Sequence, residues 1–235
     1  MRVASVQCCE YVEASQAVAA AVYFARQALE QKAQLICFPE AFLTGYSRVI
    51  QHKDKAKALN IQSPYFNALI QPILELPIAM ILGLIEHHEK NYYNTALFIH
   101  EGKIVGRYRK RSLLNREKWL TPGDRSPVFQ HLDLTFGMMI CHDANTEAFY
   151  QEMAVQEAQL IFCLANNCLP RAIALKWKDK HHEIRGAFCK KYNLGMMSSD
   201  VTGEDEQNLA LGPTSFINRE GQALLSTERV RSSMF

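Results

Sequence analysis

The feature that most constrains this chain is a rhythm. Short apolar runs alternate with stretches of helical periodicity, and one pair of runs is joined by a tight turn. Arg2 to Gln7 reads as a strand. Residues 12 to 32 follow as a helix, with Val18, Val22, Ala25 and Leu29 on one stripe. Gln34 to Phe38 and Ile78 to Ile85 read as buried strands, separated by a mixed polar segment over 39 to 63 and a helix from Pro64 to Leu74. Tyr92 to Ile99 and Lys103 to Tyr108 then flank Glu101-Gly102 and predict a hairpin. A doubly wound parallel sheet would not need that antiparallel pair. Further strands are expected at Val128 to Leu134, Phe136 to Ile140, Leu160 to Leu164, Leu194 to Ser198, Thr214 to Asn218 and Ala223 to Leu225. Helices are expected from Thr146 to Ala158 and from Arg171 to Tyr192. Two mixed sheets covered by helices, an α/β layered architecture, satisfy this order.

The 235 residues suffice for one sizeable core, so a single domain over 1–235 is expected. A formal net charge of +2 gives no basic stripe, and no nucleic-acid partner is expected. Lys53, Lys55 and Lys57 form the densest basic run, but Asp54 interrupts it and it reads as solvated surface. No apolar stretch reaches membrane-spanning length, and the N-terminus runs straight into a strand without the form of a signal peptide. Seven scattered cysteines, an odd number mostly inside apolar runs, suit reduced thiols in a cytoplasmic protein. Cys163 and Cys168 could be half of a metal clip, but no second half exists. Every cysteine except Cys141 reads as buried and structural.

Three apolar runs end in reactive groups. Leu35-Ile36-Cys37-Phe38 ends in Pro39-Glu40, the second hairpin strand ends in Lys110, and Phe136 to Ile140 ends in Cys141. A thiol becomes a good nucleophile when a base or a cation assists it. Glu40 can serve as the base. Lys110 can stabilise a thiolate or the charge that develops on a substrate atom, and the backbone N–H of His142 is a natural second donor. Removing one such preorganised donor typically raises the barrier by about 3 kcal/mol. Taken singly, a strand-end Glu or Lys is usually solvated and a cysteine in an apolar run is usually core. The three settings together point to hydrolysis.

These segments resemble the carbon–nitrogen hydrolase (nitrilase/amidase) superfamily. Phe38-Pro39-Glu40-Ala41-Phe42-Leu43-Thr44-Gly45-Tyr46 is similar to the segment with that family's glutamate. Tyr93-Asn94-Thr95-Ala96 to Tyr108-Arg109-Lys110 resembles the hairpin leading to its lysine, and Gly137 to Asp143 resembles its cysteine segment. Glu117 resembles a second glutamate of the family. Asn166, Trp177, Arg185 and Gly212-Pro213-Thr214-Ser215 are similar as well. The resemblance implies a four-layer α-β-β-α sandwich with two mixed β-sheets, a Glu40–Lys110–Cys141 triad and a thioester intermediate. It implies no metal or other cofactor. Glu117, His142, Tyr46 and Asn166 become candidates for oxyanion or substrate binding. A small-molecule amide substrate is expected, since His142-Asp143 is nearer to the pair that follows the cysteine in amidases than to the Trp-Glu of nitrilases. The resemblance further implies a homodimer, although the chain closes at Phe235, before the tail that members pack across a dimer interface. Ala144-Asn145-Thr146-Glu147-Ala148 and Gln151 depart from the family's Phe-Pro-Glu run and arginine, so substrate preference does not carry over.

Other signals point elsewhere. His181-His182-Glu183 reads as a solvated helix face rather than a zinc site, because adjacent residues on a helix diverge. His142 and Asp143 are too close in sequence to Cys141 to orient it as a protease triad. Glu86, beside His87-His88-Glu89, is equally placed to approach the pocket or not. An acyl transferase using the same thioester, and a non-catalytic small-molecule-binding relative, are the alternatives to hydrolysis.

Overall fold

The computed structural model describes residues 1–177, 179–204, 206–211, 214–227 and 233–234. The Gly212-Pro213 pair of the family resemblance lies outside them.

The first half of the chain builds five strands of one sheet and their helical cover. Its elements are β1 (Val3–Gln7), α1 (Ala14–Glu30), β2 (Leu35–Cys37), α2 (Pro64–Leu74), β3 (Ala79–His88), β4 (Asn91–His100) and β5 (Lys103–Arg109). The second half contributes β6 (Val128–His131), β7 (Leu134–Ile140), α3 (Glu147–Val155), β8 (Leu160–Leu164), β9 (Cys168–Pro170), α4 (Arg171–Trp177), α5 (Lys180–Tyr192), β10 (Gly195–Ser199), β11 (Gly203–Glu204), β12 (Asn208–Ala210), β13 (Ser215–Ile217), β14 (Ala223–Ser226) and β15 (Ser233–Met234). The first sheet has the order β15-β1-β2-β3-β4-β5, and the second β14-β13-β10-β8-β7-β6. Both are mixed. β1, β2 and β3 are parallel neighbours while β3, β4 and β5 are antiparallel, and β7, β8 and β10 are parallel between antiparallel flanks.

Strand periodicity explains the layering. Successive side chains leave a strand on opposite faces. Ile36, Met80, Leu82 and Leu84 face α1 and α2, where they meet Phe24, Phe66 and Ile70. Leu35, Cys37 and Ile81 face inward, against Phe136, Met138, Ile140 and Phe162 of the second sheet. The alternate residues Met139, Ile161 and Cys163 pack on Phe149, Met153 and Cys189 of α3 and α5. Both faces of each central strand are therefore apolar, which is why these strands read as continuous hydrophobic runs. The result is the α-β-β-α sandwich with two mixed sheets that the resemblance implies. Among the described residues, no helix is long and apolar enough to cross a membrane.

Several elements differ from expectation. The buried face of α1 keeps Val18 and Ala25 of the expected stripe and adds Ala17, Ala21, Phe24 and Ala28, while Val22 and Leu29 lie on its flank. The small alanines allow the helix to approach the sheet closely. The strand expected over Val128 to Leu134 stops at His131, where Leu132 turns through a left-handed φ of 52° into β7. The long helix expected from Arg171 to Tyr192 is two helices, α4 and α5. A small sheet of order β11-β12-β9, not expected from the sequence, lies beside α4. Cys9 is exposed rather than buried, since β1 ends at Gln7 and only Cys8 continues inward, bridged to Val201.

Candidate active site

Glu40, Lys110 and Cys141 each follow a strand end. Glu40 lies just beyond β2, and its N–H donates to Ala165 O of the opposite sheet at 3.3 Å. Ala41 then takes a φ of 51° and turns the chain away. Lys110 extends the hairpin one residue past β5, its N–H on Asn94 O at 2.8 Å. Cys141 follows β7 with a φ of 48° and opens a short 3₁₀ turn, Cys141–Asn145. A non-glycine residue in the left-handed region carries a strain of roughly 1–3 kcal/mol, a pattern concentrated at functional sites.

The Lys110 ammonium is fully buried between two carboxylates. It donates to Glu40 Oε1 at 2.8 Å and to Glu117 Oε1 at 2.6 Å. An ammonium has three N–H groups, so one remains beyond these two bonds. Asn94 Nδ2 donates to the same Glu40 oxygen at 2.7 Å, while Glu40 Oε2 is buried and accepts from no described residue. Glu117 is further held by the Tyr46 hydroxyl at 2.9 Å and the Leu114 N–H at 2.7 Å, and Arg116 Nε donates to Tyr46 at 3.0 Å.

Burial dominates the electrostatics. It pushes Glu40 up to about 7, helped by the Glu117 charge and opposed by Lys110 and Asn94. Burial alone would pull Lys110 down, but the charges of Glu40, Cys141 and Glu117 hold it well above the ordinary lysine range. Burial and the Glu40 charge push Cys141 well up, and Lys110 does not offset them. The resting group is therefore a thiol, and Lys110 is not sufficient to hold a standing thiolate.

Cys141 is half-buried and lines a cavity of about 260 Å³. Glu40 and Lys110 lie behind this wall, near enough for their charges to act on the sulfur. Asn166 and Asn167 line the cavity too. Asn166 is tied to Glu10 at 2.5 Å, and Cys141 Sγ approaches Asn167 Oδ1 at 3.9 Å. Asn167 is in turn clamped by Asp200, which accepts its backbone N–H at 2.9 Å and its side-chain amide at 2.5 Å. His142 also lines the cavity, with Nδ1 2.9 Å from Ser112 Oγ.

Asp143 makes no bond to His142. It is buried, accepting from the Tyr108 hydroxyl at 2.7 Å and the backbone N–H groups of Ser112 and Ile140 at 2.7 and 3.0 Å. It fixes the turn after β7 to the opposite sheet and forms no triad with its neighbours. Glu86 does not reach the cavity: Arg107, Arg109 and Thr95 take up its oxygens. His181 corrects the expectation of a solvated face, because it is 8% exposed and lines the cavity. Asn94, Arg116, Asn167 and Asp200 were not singled out from sequence. Asp200 could have been, since it follows β10 as Glu40 follows β2. Among the described residues, no cluster of three or more His, Cys, Asp or Glu could hold a metal ion.

The fold recurs in known proteins. A nitrilase of Pyrococcus abyssi is 29% identical over 204 residues, covering 85% of this chain and 74% of that protein. A glutamine-dependent NAD(+) synthetase of Acinetobacter baylyi is 23% identical over 218 residues, covering 90% of this chain but 39% of the synthetase, so the chain spans well under half of that relative. In structure, the NitN amidase from Neterenkonia sp. AN1 superposes with a TM-score of 0.84 at 19% identity, over 100% of this chain and 91% of that one. Residues 2–229 match the description Carbon-nitrogen hydrolase, and the chain belongs to that family.

Proposed function

We propose that this protein hydrolyses a non-peptide C–N bond in a small amide or carbamoyl compound, with Glu40, Lys110 and Cys141 as its catalytic triad. One observation carries the reading. A buried ammonium is shared by two carboxylates, one of which keeps an oxygen free, behind a cysteine on a cavity wall. Cys141 Sγ forms a bond to the substrate carbonyl carbon while its proton passes to Glu40. The free Lys110 N–H and the backbone N–H of His142 stabilise the oxyanion. His142 lies in the first turn of its 3₁₀ segment, where a backbone N–H has no intrahelical acceptor. Glu40 returns the proton to the leaving nitrogen, the C–N bond breaks and a thioester remains. Water, deprotonated by Glu40, attacks that carbon, the C–S bond breaks, and acid and thiol are released. Glu117 and Tyr46 keep the ammonium in place. Amidases and nitrilases both occur among the relatives, and the choice of amide over nitrile rests on the His142-Asp143 pair that follows the cysteine.

The test is ammonia release across small amides, carbamoyl amino acids and nitriles, with intact-mass detection of an acyl group on the protein. Wild type is expected to turn over at least one amide, and Cys141→Ala to lose at least about 10⁴-fold in rate. Equal rates for the two proteins would refute the reading. Hydroxamate formation outcompeting hydrolysis in added hydroxylamine would instead indicate acyl transfer.

A further inference from the structure

Among the described residues, the cavity beside Cys141 is lined by two arginines and by no Asp or Glu. Arg116 has a partner in Tyr46, whose ring lies 5.3 Å from its guanidinium carbon. Arg185 is different. It is 1% exposed, and its Nε and NH1 have no hydrogen-bond partner among the described residues. Asp200, the acidic group whose charge acts on Arg185, has both oxygens engaged by Asn167 and Val201. Arginines are almost never fully buried unless paired, and a buried donor without an acceptor is costly.

One helical turn earlier on α5 is His181, at the spacing that places both side chains on one face. Neither ring nitrogen of His181 has a partner, and Trp177 packs against its ring at 5.4 Å. Burial and the Arg185 charge push His181 down to about 3, so the ring is neutral and offers one N–H. A charged planar fork and a neutral donor thus share a small cavity with the thiol, and no described residue accepts a hydrogen bond from Arg185 Nε or NH1 or from the His181 ring.

We propose that Arg185, assisted by His181, binds a carboxylate at the far end of the substrate, so that the preferred substrate is a short acid carrying an amide or carbamoyl group. The guanidinium fork matches a carboxylate with two parallel hydrogen bonds, an arrangement an ammonium cannot reproduce. The assignment rests on the hydrolase reading for the reacting end alone; the anion site stands on the cavity itself.

Two measurements separate these claims. Calorimetric titration of Cys141→Ala with glutarate needs no turnover. Binding is expected, and adding Arg185→Met should weaken it roughly 100-fold, the scale of charge-assisted hydrogen bonds. Absence of glutarate binding, equal binding by both variants, or stronger binding of inorganic phosphate than of glutarate would overturn the carboxylate site. In the active protein, the kcat/KM ratio of succinamate to butanamide should exceed about 100 and fall by about that factor in Arg185→Met. A ratio near one, or a ratio unchanged in the variant, would overturn it equally. If glutarate binds through Arg185 and no amide is turned over, the hydrolase reading fails while the site stands. Arg185→Met is expected to melt no lower than wild type, because an unpaired buried cation contributes no stability. A lower melting temperature would instead assign Arg185 to the fold. Arg185→Lys retains the charge without the fork, and its ratio should fall between those of wild type and Arg185→Met.

Discussion

At the scale of single residues, the two oxygens of Glu40 are not equivalent. Oε1 accepts from Lys110 and Asn94, and Oε2 accepts from no described residue. Burial raises this carboxyl to about 7, and the proposed chemistry needs its ionised form to take the thiol proton. Raising the pH through about 7 fills that form, so kcat/KM should climb across that range and level off above it. Glu40→Gln cannot accept the proton. It should lower kcat by about 10²–10⁴-fold and abolish the limb. Ammonia release measured from pH 5 to 9 checks both, and a flat wild-type profile would count against Glu40 as the base. Glu40, Lys110 and Cys141 were legible in the sequence because each places a reactive group where an expected strand ends. The same rule would have found Asp200. It could not have found Asn94, whose amide sits inside a strand and acquires meaning only through its bond to Glu40. Nor could sequence show that burial and Glu40 outweigh Lys110 at the Cys141 sulfur, since desolvation is a property of the folded state.

Among the elements, β3 is the strand against which the acid's loop is set. Gly83 of β3 lies under residues 39–41 so closely that a Cβ there would stand 2.5 Å from Pro39 O and 2.6 Å from Ala41 N. Both neighbours are backbone and cannot swing aside. Gly83→Ala should therefore push the Glu40 loop off β3, lower the melting temperature and reduce kcat/KM by roughly 100-fold. Paired melting and steady-state measurements check this, and wild-type kinetics in the variant would show that the loop's seat is not critical. The hairpin of β4 and β5 was readable because Glu101-Gly102 supplies two left-handed residues, at φ 49° and 71°. The break between α4 and α5 was not. Trp177 to Lys180 contains neither glycine nor proline, and Asp179 makes no side-chain cap. The buried face of α5 is His181, Arg185, Gly186 and Cys189. Apolar periodicity does not reveal which face of a helix is inward when that stripe is largely polar, which is why His181 reads from sequence as solvent-facing.

Across the whole molecule, the candidate site exists only where the two sheets meet. The interface is tied by Ser199 Oγ donating to Cys37 O at 2.9 Å, by Ser5 Oγ donating to Ser198 O at 2.7 Å and by the Tyr108–Asp143 bond. Phe136 is central to its apolar part, with ring centroids 5.1 Å from Phe98 and 5.2 Å from Phe162. Loss of activity and loss of tertiary fluorescence in urea should follow one curve. Phe136→Ala should move both midpoints together, by an amount equivalent to about 3–5 kcal/mol. Activity disappearing well before fluorescence would show a site that opens independently of the sheet interface. The order of layers was legible because double-faced apolar strands require cover on both sides. The small β9-β12-β11 sheet was not, since strands this short leave too few residues for any alternation to register. The division between sheets has one more consequence. Apart from β15, the first sheet is complete by Arg109 and the second begins at Val128. On the proposed mechanism, the earlier half of the chain supplies the base and the cation, and the later half supplies the sulfur they act on. Under that mechanism each half is chemically mute alone, so as the polypeptide is synthesised, reactivity would arrive only when the halves close on each other.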